Sequence, residues 1–187
     1  GVYFETTVEA VDFFSRAGHA ERQFIIRFET SFAGYFFRPV EAFQKGTAIH
    51  PVWQRYFSDT SLSPLQYYLL GINAHINGDI WQAMTSVFSL EEIQLHKKTY
   101  NSFQKSLVQQ YKRFYEASVF THPGTSMLHR LTLGLDKLYG RLMLQRWRQR
   151  QFKLARLWYT NKELFARKLT RVKQKMQHLN RLIINTL

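Results

Sequence analysis

The sixteen residues from Leu69 to Met84, LLGINAHINGDIWQAM, hold no Lys, Arg or Glu and one Asp, in a chain with 26 Lys and Arg and 13 Asp and Glu. The spacing predicts a helix. On 3.6 residues per turn, Ile72, Ile76, Ile80, Ala83 and Val87 form one apolar stripe. His75 and Asp79, four apart, lie beside it on a face shared with Gly71, Gly78 and Gln82, while Asn73 and Asn77 take the other flank. Ala74, Trp81 and Met84 close the circumference without a charge. A helix this apolar all round belongs at the centre of a fold. Its buried carboxylate and amides each need a partner, because an unpaired polar group in the interior is costly.

The rest of the chain favours the same class. Aromatic residues make up 16% of 187 positions, against 9 Gly and 4 Pro, which is too little turn chemistry for an all-β protein and too much apolar bulk for disorder. An all-α fold is predicted: a single-domain multi-helix bundle over residues 1–187, with a central buried polar helix. Helices are expected over Glu5–Ala17 and Ala20–Gln44, the second kinked or divided at Pro39. A short helix is expected at His50–Phe57, and SLEE at Ser89–Glu92 has capping-box spacing ahead of a long helix to about Val119. THPG at Thr121–Gly124 breaks that helix, another runs from Ser126 to Tyr159, and Thr160 or Asn161 caps a last one. In the last helix Phe165, Leu169, Val172, Met176, Leu179 and Ile183 make one apolar seam, which points to packing on the bundle, with homodimerisation or membrane-surface binding as alternatives.

Charge is unevenly placed. Residues 1–94 carry 6 basic and 10 acidic side chains, and residues 95–187 carry 20 and 3. The basic half suits an anionic partner such as nucleic acid, acidic lipid or an acidic protein; the alternative is a solvated basic surface. Between Arg141 and Tyr159, Met143, Trp147, Leu154 and Trp158 share one helical face while Arg146, Arg150 and Lys153 share another, so a buried tryptophan seam with a charged outer face is expected. No transmembrane segment is expected, since Ser, Pro, Gln, Asn and His interrupt the uncharged run from Thr60 to Gly78. The chain begins at Gly1, which points to a trimmed start, and a soluble, cytoplasmic location is expected.

There are no cysteines, so His, Asp and Glu are the strong metal ligands on offer. Two readings of His75 and Asp79 stand side by side. They pair with neighbouring helices and fix the packing, or they point at one zinc or manganese ion with a third ligand from elsewhere. Glu29 is the best third ligand, because its helical neighbours Ile25, Ile26, Phe32 and Ala33 are apolar. Asp136, between Leu133 and Tyr139, is a second candidate. Asn73, Asn77, Gln82 and Tyr35 are possible supporting residues. Asp12 has Arg16 four residues on and reads as a surface pair. Catalytic Ser or Thr motifs, a phosphate-cradling glycine loop and a dinucleotide fingerprint are absent from the sequence.

The runs FETSFAGYFF, PVWQRYF and SPLQYYLLGINAHINGDIWQAM together resemble an uncharacterised, mainly bacterial group, domain-of-unknown-function family 5995. Its hallmark is similar to G-[MI]-N-A-H-I-N-x-D-[LI], here Gly71, Asn73, Ala74, His75, Ile76, Asn77 and Asp79. The family's acid in the earlier helix falls on Glu29, and RWRQRQFKLARLW is a looser echo further on. This resemblance implies no particular activity. More distantly, HINGDIWQ is similar to the H-x-x-x-D-x-x-Q segment of zinc-dependent phospholipase C and the P-one type nucleases, where that His and Asp bind zinc; His75, Asp79 and Gln82 match it. The Pro-Leu-His that follows there is replaced here by Ala83, Met84 and Thr85. The expectation drawn from both is a metal-dependent hydrolase of esters or phosphodiesters, with a non-catalytic helical binding module as the alternative.

Overall fold

The computed structural model describes residues 11–13, 15–107 and 135–186. Every regular element among them is helical, as an all-α chain requires. They comprise α1 (His19–Gln44), α2 (Pro51–Ser58), α3 (Pro64–Ala74), a π-helix (His75–Asp79), α4 (Ile80–Val87), α5 (Leu90–Leu95), a helical run over residues 97–107, α6 (Leu135–Thr160) and α7 (Lys162–Thr186). The break expected at Thr121–Gly124, the end of the helix near Val119 and the start of the helix at Ser126 lie outside the described residues. None of the described helices is long and apolar enough to cross a membrane.

Contacts divide the chain into two compact units, Gly1–Ile26 with Gln94–Trp147, and Arg27–Ile93 with Arg148–Leu187. In the first, Phe24 stacks on His96 at 4.7 Å, Phe13 meets Phe103 edge-on at 5.3 Å, and Tyr100 and Phe103 are fully buried. Asp12 and Arg16 form the expected exposed pair.

The second unit is built around α3, the π-helix and α4. From Leu65 to Thr85 no residue is exposed, so the uncharged segment is central as its composition demands. Ser63 caps α3 through a capping box in which Ser63 N–H donates to Gln66 Oε1 at 2.8 Å and Gln66 N–H donates to Ser63 Oγ at 3.3 Å. Pro64 occupies the first turn, where a missing donor costs nothing. Gly71 is where Tyr56 of α2 packs closest: a Cβ there would stand 3.2 Å from the tyrosine ring. The seam of α7 closes over this helix as predicted, with Phe165, Val172, Met176 and Ile183 buried alongside Leu154 and half-buried Trp81, Trp158 and Leu169.

The caps read from sequence are in place. Ser89 and Glu92 form a reciprocal box at 2.8 and 3.3 Å, and Asn161 Oδ1 accepts from Leu164 N–H at 2.8 Å. Pro39, in contrast, does not divide α1, which runs unbroken from His19 to Gln44. Phe28 and Phe32 are buried on the same helix, and this packing outweighs an interior proline's cost of about 3 kcal/mol. The helix ends at Gln44, and just beyond it Gly46 has a φ of 65° that only glycine adopts freely; Thr47 N–H reaches Ala42 O at 2.9 Å to close the turn.

Candidate functional site

An α-helix joins each N–H to the carbonyl four residues back, and the central helix departs from this over His75–Asp79, where the winding is π. The extra residue rotates everything before it relative to everything after. Asn73, Ala74, Asn77, Gly78 and Asp79 are buried, whereas Ile72 and Ile76 of the predicted apolar stripe are only half-buried. A local cause of the departure lies on α6. Gln151, 0% exposed, accepts from Trp81 N–H at 3.3 Å through Oε1 and donates from Nε2 to the carbonyl of Asn77. Those two backbone groups are the i and i−4 partners of a regular helix, so one side-chain amide bridges the site where the ladder is disturbed.

The amides of the segment are committed to holding it. Asn73 Nδ2 donates to Met176 O at 3.0 Å and to Asn180 Oδ1 at 2.7 Å on α7. Asn73 Oδ1 accepts from Asn77 Nδ2 at 3.0 Å, and Asn77 Oδ1 accepts from Arg150. Gln82 donates back to Gly78 O at 3.1 Å. Arg150 therefore does not lie on the charged outer face expected for it with Arg146 and Lys153: it is half-buried, because its guanidinium reaches the inward-facing Asn77.

The π winding keeps His75 and Asp79 in contact. His75 Nδ1 lies 3.1 Å from Asp79 Oδ2, and the same oxygen accepts from the indole N–H of Trp53 at 3.0 Å. Trp53 and Asp79 are each 1% exposed. The imidazole is enclosed by rings, stacked on Phe32 at 3.7 Å between centroids and edge-on to Phe36 at 5.7 Å. Burial pushes the Asp79 carboxyl well above the usual carboxylate range, with the Trp53 N–H opposing. Burial first, then the charge of Arg148, pushes His75 down to about 3. Both shifts favour the neutral forms, so the contact is a hydrogen bond and not an ion pair.

Glu29, on α1, is the second unusual acid. It is half-buried as a residue, but Oε1 is out of reach of water and has no hydrogen-bond partner. Burial raises its pKa to about 7, and the guanidinium of Arg148 pulls in the other direction. Arg148 is itself 7% exposed, and its charge is felt by both Glu29 and His75. One buried cation thus serves a neighbourhood holding two acids and a neutral imidazole.

A model of a family of unknown function, DUF5995, matches residues 1–186. The chain belongs to that family. No match to a curated protein or to a solved structure was found. The two stretches that carry the resemblance to DUF5995 meet in space: Arg148, Arg150 and Gln151 of the later run act on Glu29, His75, Asn77 and Trp81 of the earlier one.

Of the predicted site residues in this DUF5995 chain, His75 and Asp79 come together. Among the described residues no three His, Asp or Glu side chains are grouped closely enough to hold one metal ion, so Glu29 stays outside the pair. Asn73, Asn77 and Gln82 are taken up in the helix network, and Tyr35 lies under the guanidinium of Arg38 at 4.9 Å. The side chain of Asp136 lies outside the described residues. Trp53, Arg148 and Gln151 were missed. A buried Arg and Gln at i and i+3 within a basic helix give no sequence signal beyond their spacing from Phe152 and Ala155.

Proposed function

We propose that this DUF5995 protein is a hydrolase of esters or phosphodiesters in which Glu29 is the general base. The observation that carries the reading is the carboxylate oxygen of Glu29, closed off from water without a donor, with its pKa raised to about 7. A carboxylate kept only for packing is normally hydrogen-bonded. One tuned to neutrality suits proton transfer with a bound reactant near physiological pH. Arg148 supplies positive charge in a low-dielectric setting, where it stabilises negative charge developing on a substrate oxygen. His75, held by Asp79 and too weak a base to take a proton at neutral pH, orients substrate as a neutral hydrogen-bonding group.

A metal-assisted variant uses His75, Asp79 and Glu29 as ligands of zinc or manganese. A neutral imidazole favours it. The donor set does not fit it as it stands, since two of the three converge and a buried guanidinium lies beside them. Hydrolysis of bis(p-nitrophenyl) phosphate and p-nitrophenyl esters by the purified protein, before and after chelation, tests both. Turnover with a pH–rate break near 7 that is lost in Glu29→Gln supports the acid–base reading. Turnover lost to chelator supports the metal variant, and no turnover under any condition removes the hydrolase reading.

One observation favours the second reading, a module that binds an anionic partner. On α7, Arg167, Lys168, Arg171, Lys175 and Arg181 are all exposed, with Glu163 the single acid of the helix. Binding to nucleic acid or anionic vesicles that weakens steeply with salt supports it, and no binding at low salt makes the face a solvated one.

A further inference from the structure

A cavity of about 40 Å³ lies between the central helix and α7, apart from Glu29 and the His75–Asp79 pair. Its walls mix two chemistries. Val172 and Met176 of α7 give an apolar side, while Lys173 of α7 and His50, just ahead of α2, bring two basic groups to the same space. The central helix contributes Trp81 and Gln82, whose Nε2 is already committed to Gly78 O.

We propose that this cavity binds a phosphate group, free or as a small monoester, with Lys173 as its cationic partner and the His50 imidazole as a second donor. Lys173 makes no ion pair among the described residues, although it stands close enough to His50 for its charge, after burial, to hold the imidazole below its usual pKa. An anion seated between the ammonium and the neutral imidazole offsets the Lys173 charge and favours protonation of the ring. The volume admits about three water-sized groups, which matches the three terminal oxygens of a phosphoryl group and is too small for an extended ligand. Trp81, whose indole N–H has no protein partner among the described residues, also lines the cavity. The site stands independently of any catalysis by Glu29.

The test is titration of the full chain with inorganic phosphate and with phenyl phosphate at constant ionic strength, following the His50 ring and Trp81 indole signals by NMR. Saturable binding is expected, with the His50 titration moving to higher pH in the complex. Lys173→Met should weaken binding about tenfold, the scale of one charge-assisted contact, while Lys175→Met, an exposed cation two residues on, leaves it unchanged. Both variants change solvent-exposed residues, and equal unfolding midpoints confirm that they fold. Binding of phenyl phosphate identifies an esterified group as a ligand, and binding of inorganic phosphate alone identifies the free ion. Equal weakening by the two substitutions, or no movement of the His50 titration, would overturn the site in favour of diffuse attraction to a basic surface.

Discussion

Gln151 on α6 bridges the carbonyl of Asn77 and the N–H of Trp81, two backbone groups that a regular helix would join to each other. The π-helix of the central segment is thereby tied to a residue more than seventy positions away. Truncation in Gln151→Ala leaves a buried donor and a buried acceptor to find new partners, at about 1–3 kcal/mol for each one left unsatisfied. Denaturant unfolding should register a loss of at least about 2 kcal/mol, and a loss below about 0.5 kcal/mol would mean the helix rewinds without cost.

Asp79 offers a sharper comparison, because one oxygen serves both Trp53 and His75. Asn presents a carbonyl oxygen of the same shape, and burial already favours a neutral group there. Asp79→Asn should therefore cost less than about 1 kcal/mol. Asp79→Ala strands the Trp53 N–H and opens a void, for about 3–5 kcal/mol. Trp53→Phe combined with Asp79→Ala, each of which removes the indole–carboxyl contact, then reports its coupling in a double-mutant cycle.

The pH dependence follows from Glu29 and His75 with opposite signs. Glu29 rises from 4.5 to about 7 on folding, so the folded state holds its proton more tightly; its contribution is complete below pH 4.5 and is lost as pH climbs to about 7. His75 falls from 6.5 to about 3, so its contribution is complete above pH 6.5 and is lost as pH drops toward 3. Between pH 4.5 and 6.5 the two slopes oppose and the wild type should be nearly flat. Glu29→Gln removes one slope. The variant should gain on the wild type as pH rises through 4.5 to 7, by up to about 3 kcal/mol, while losing any hydrolytic activity. Unfolding series at pH 5 and pH 8 suffice; an equal difference at both would place Glu29 in an ordinary solvated setting.

Asn73 ties α3 to α7 through Met176 O and Asn180 Oδ1. Asn73→Ala should destabilise by about 2 kcal/mol and speed amide exchange in α7 around Asn180. Asn180→Ala removes one of the two acceptors and should cost roughly half as much. Exchange unchanged in both variants would show that the apolar seam alone seats the helix.

Much of this was legible in the sequence because it depends on neighbours along the chain. The capping boxes, the seam of α7 and the burial of Leu69–Met84 follow from residue type and periodicity, which act within a turn or two. The proximity of His75 and Asp79 followed from a four-residue spacing. Tertiary structure decided what periodicity cannot carry. An inserted π turn rotates the helix partway along, so a stripe counted at 3.6 residues per turn marks Ile72 and Ile76 as core when Asn77, Gly78 and Asp79 are more deeply buried. The partners of the buried polar groups, Trp53, Arg148 and Gln151, come from helices distant in sequence and are chosen by packing. The unpaired state of Glu29 Oε1 is likewise a property of space: an inward-facing acid can be read from its apolar neighbours, but whether a donor reaches it depends on where the other helices end up.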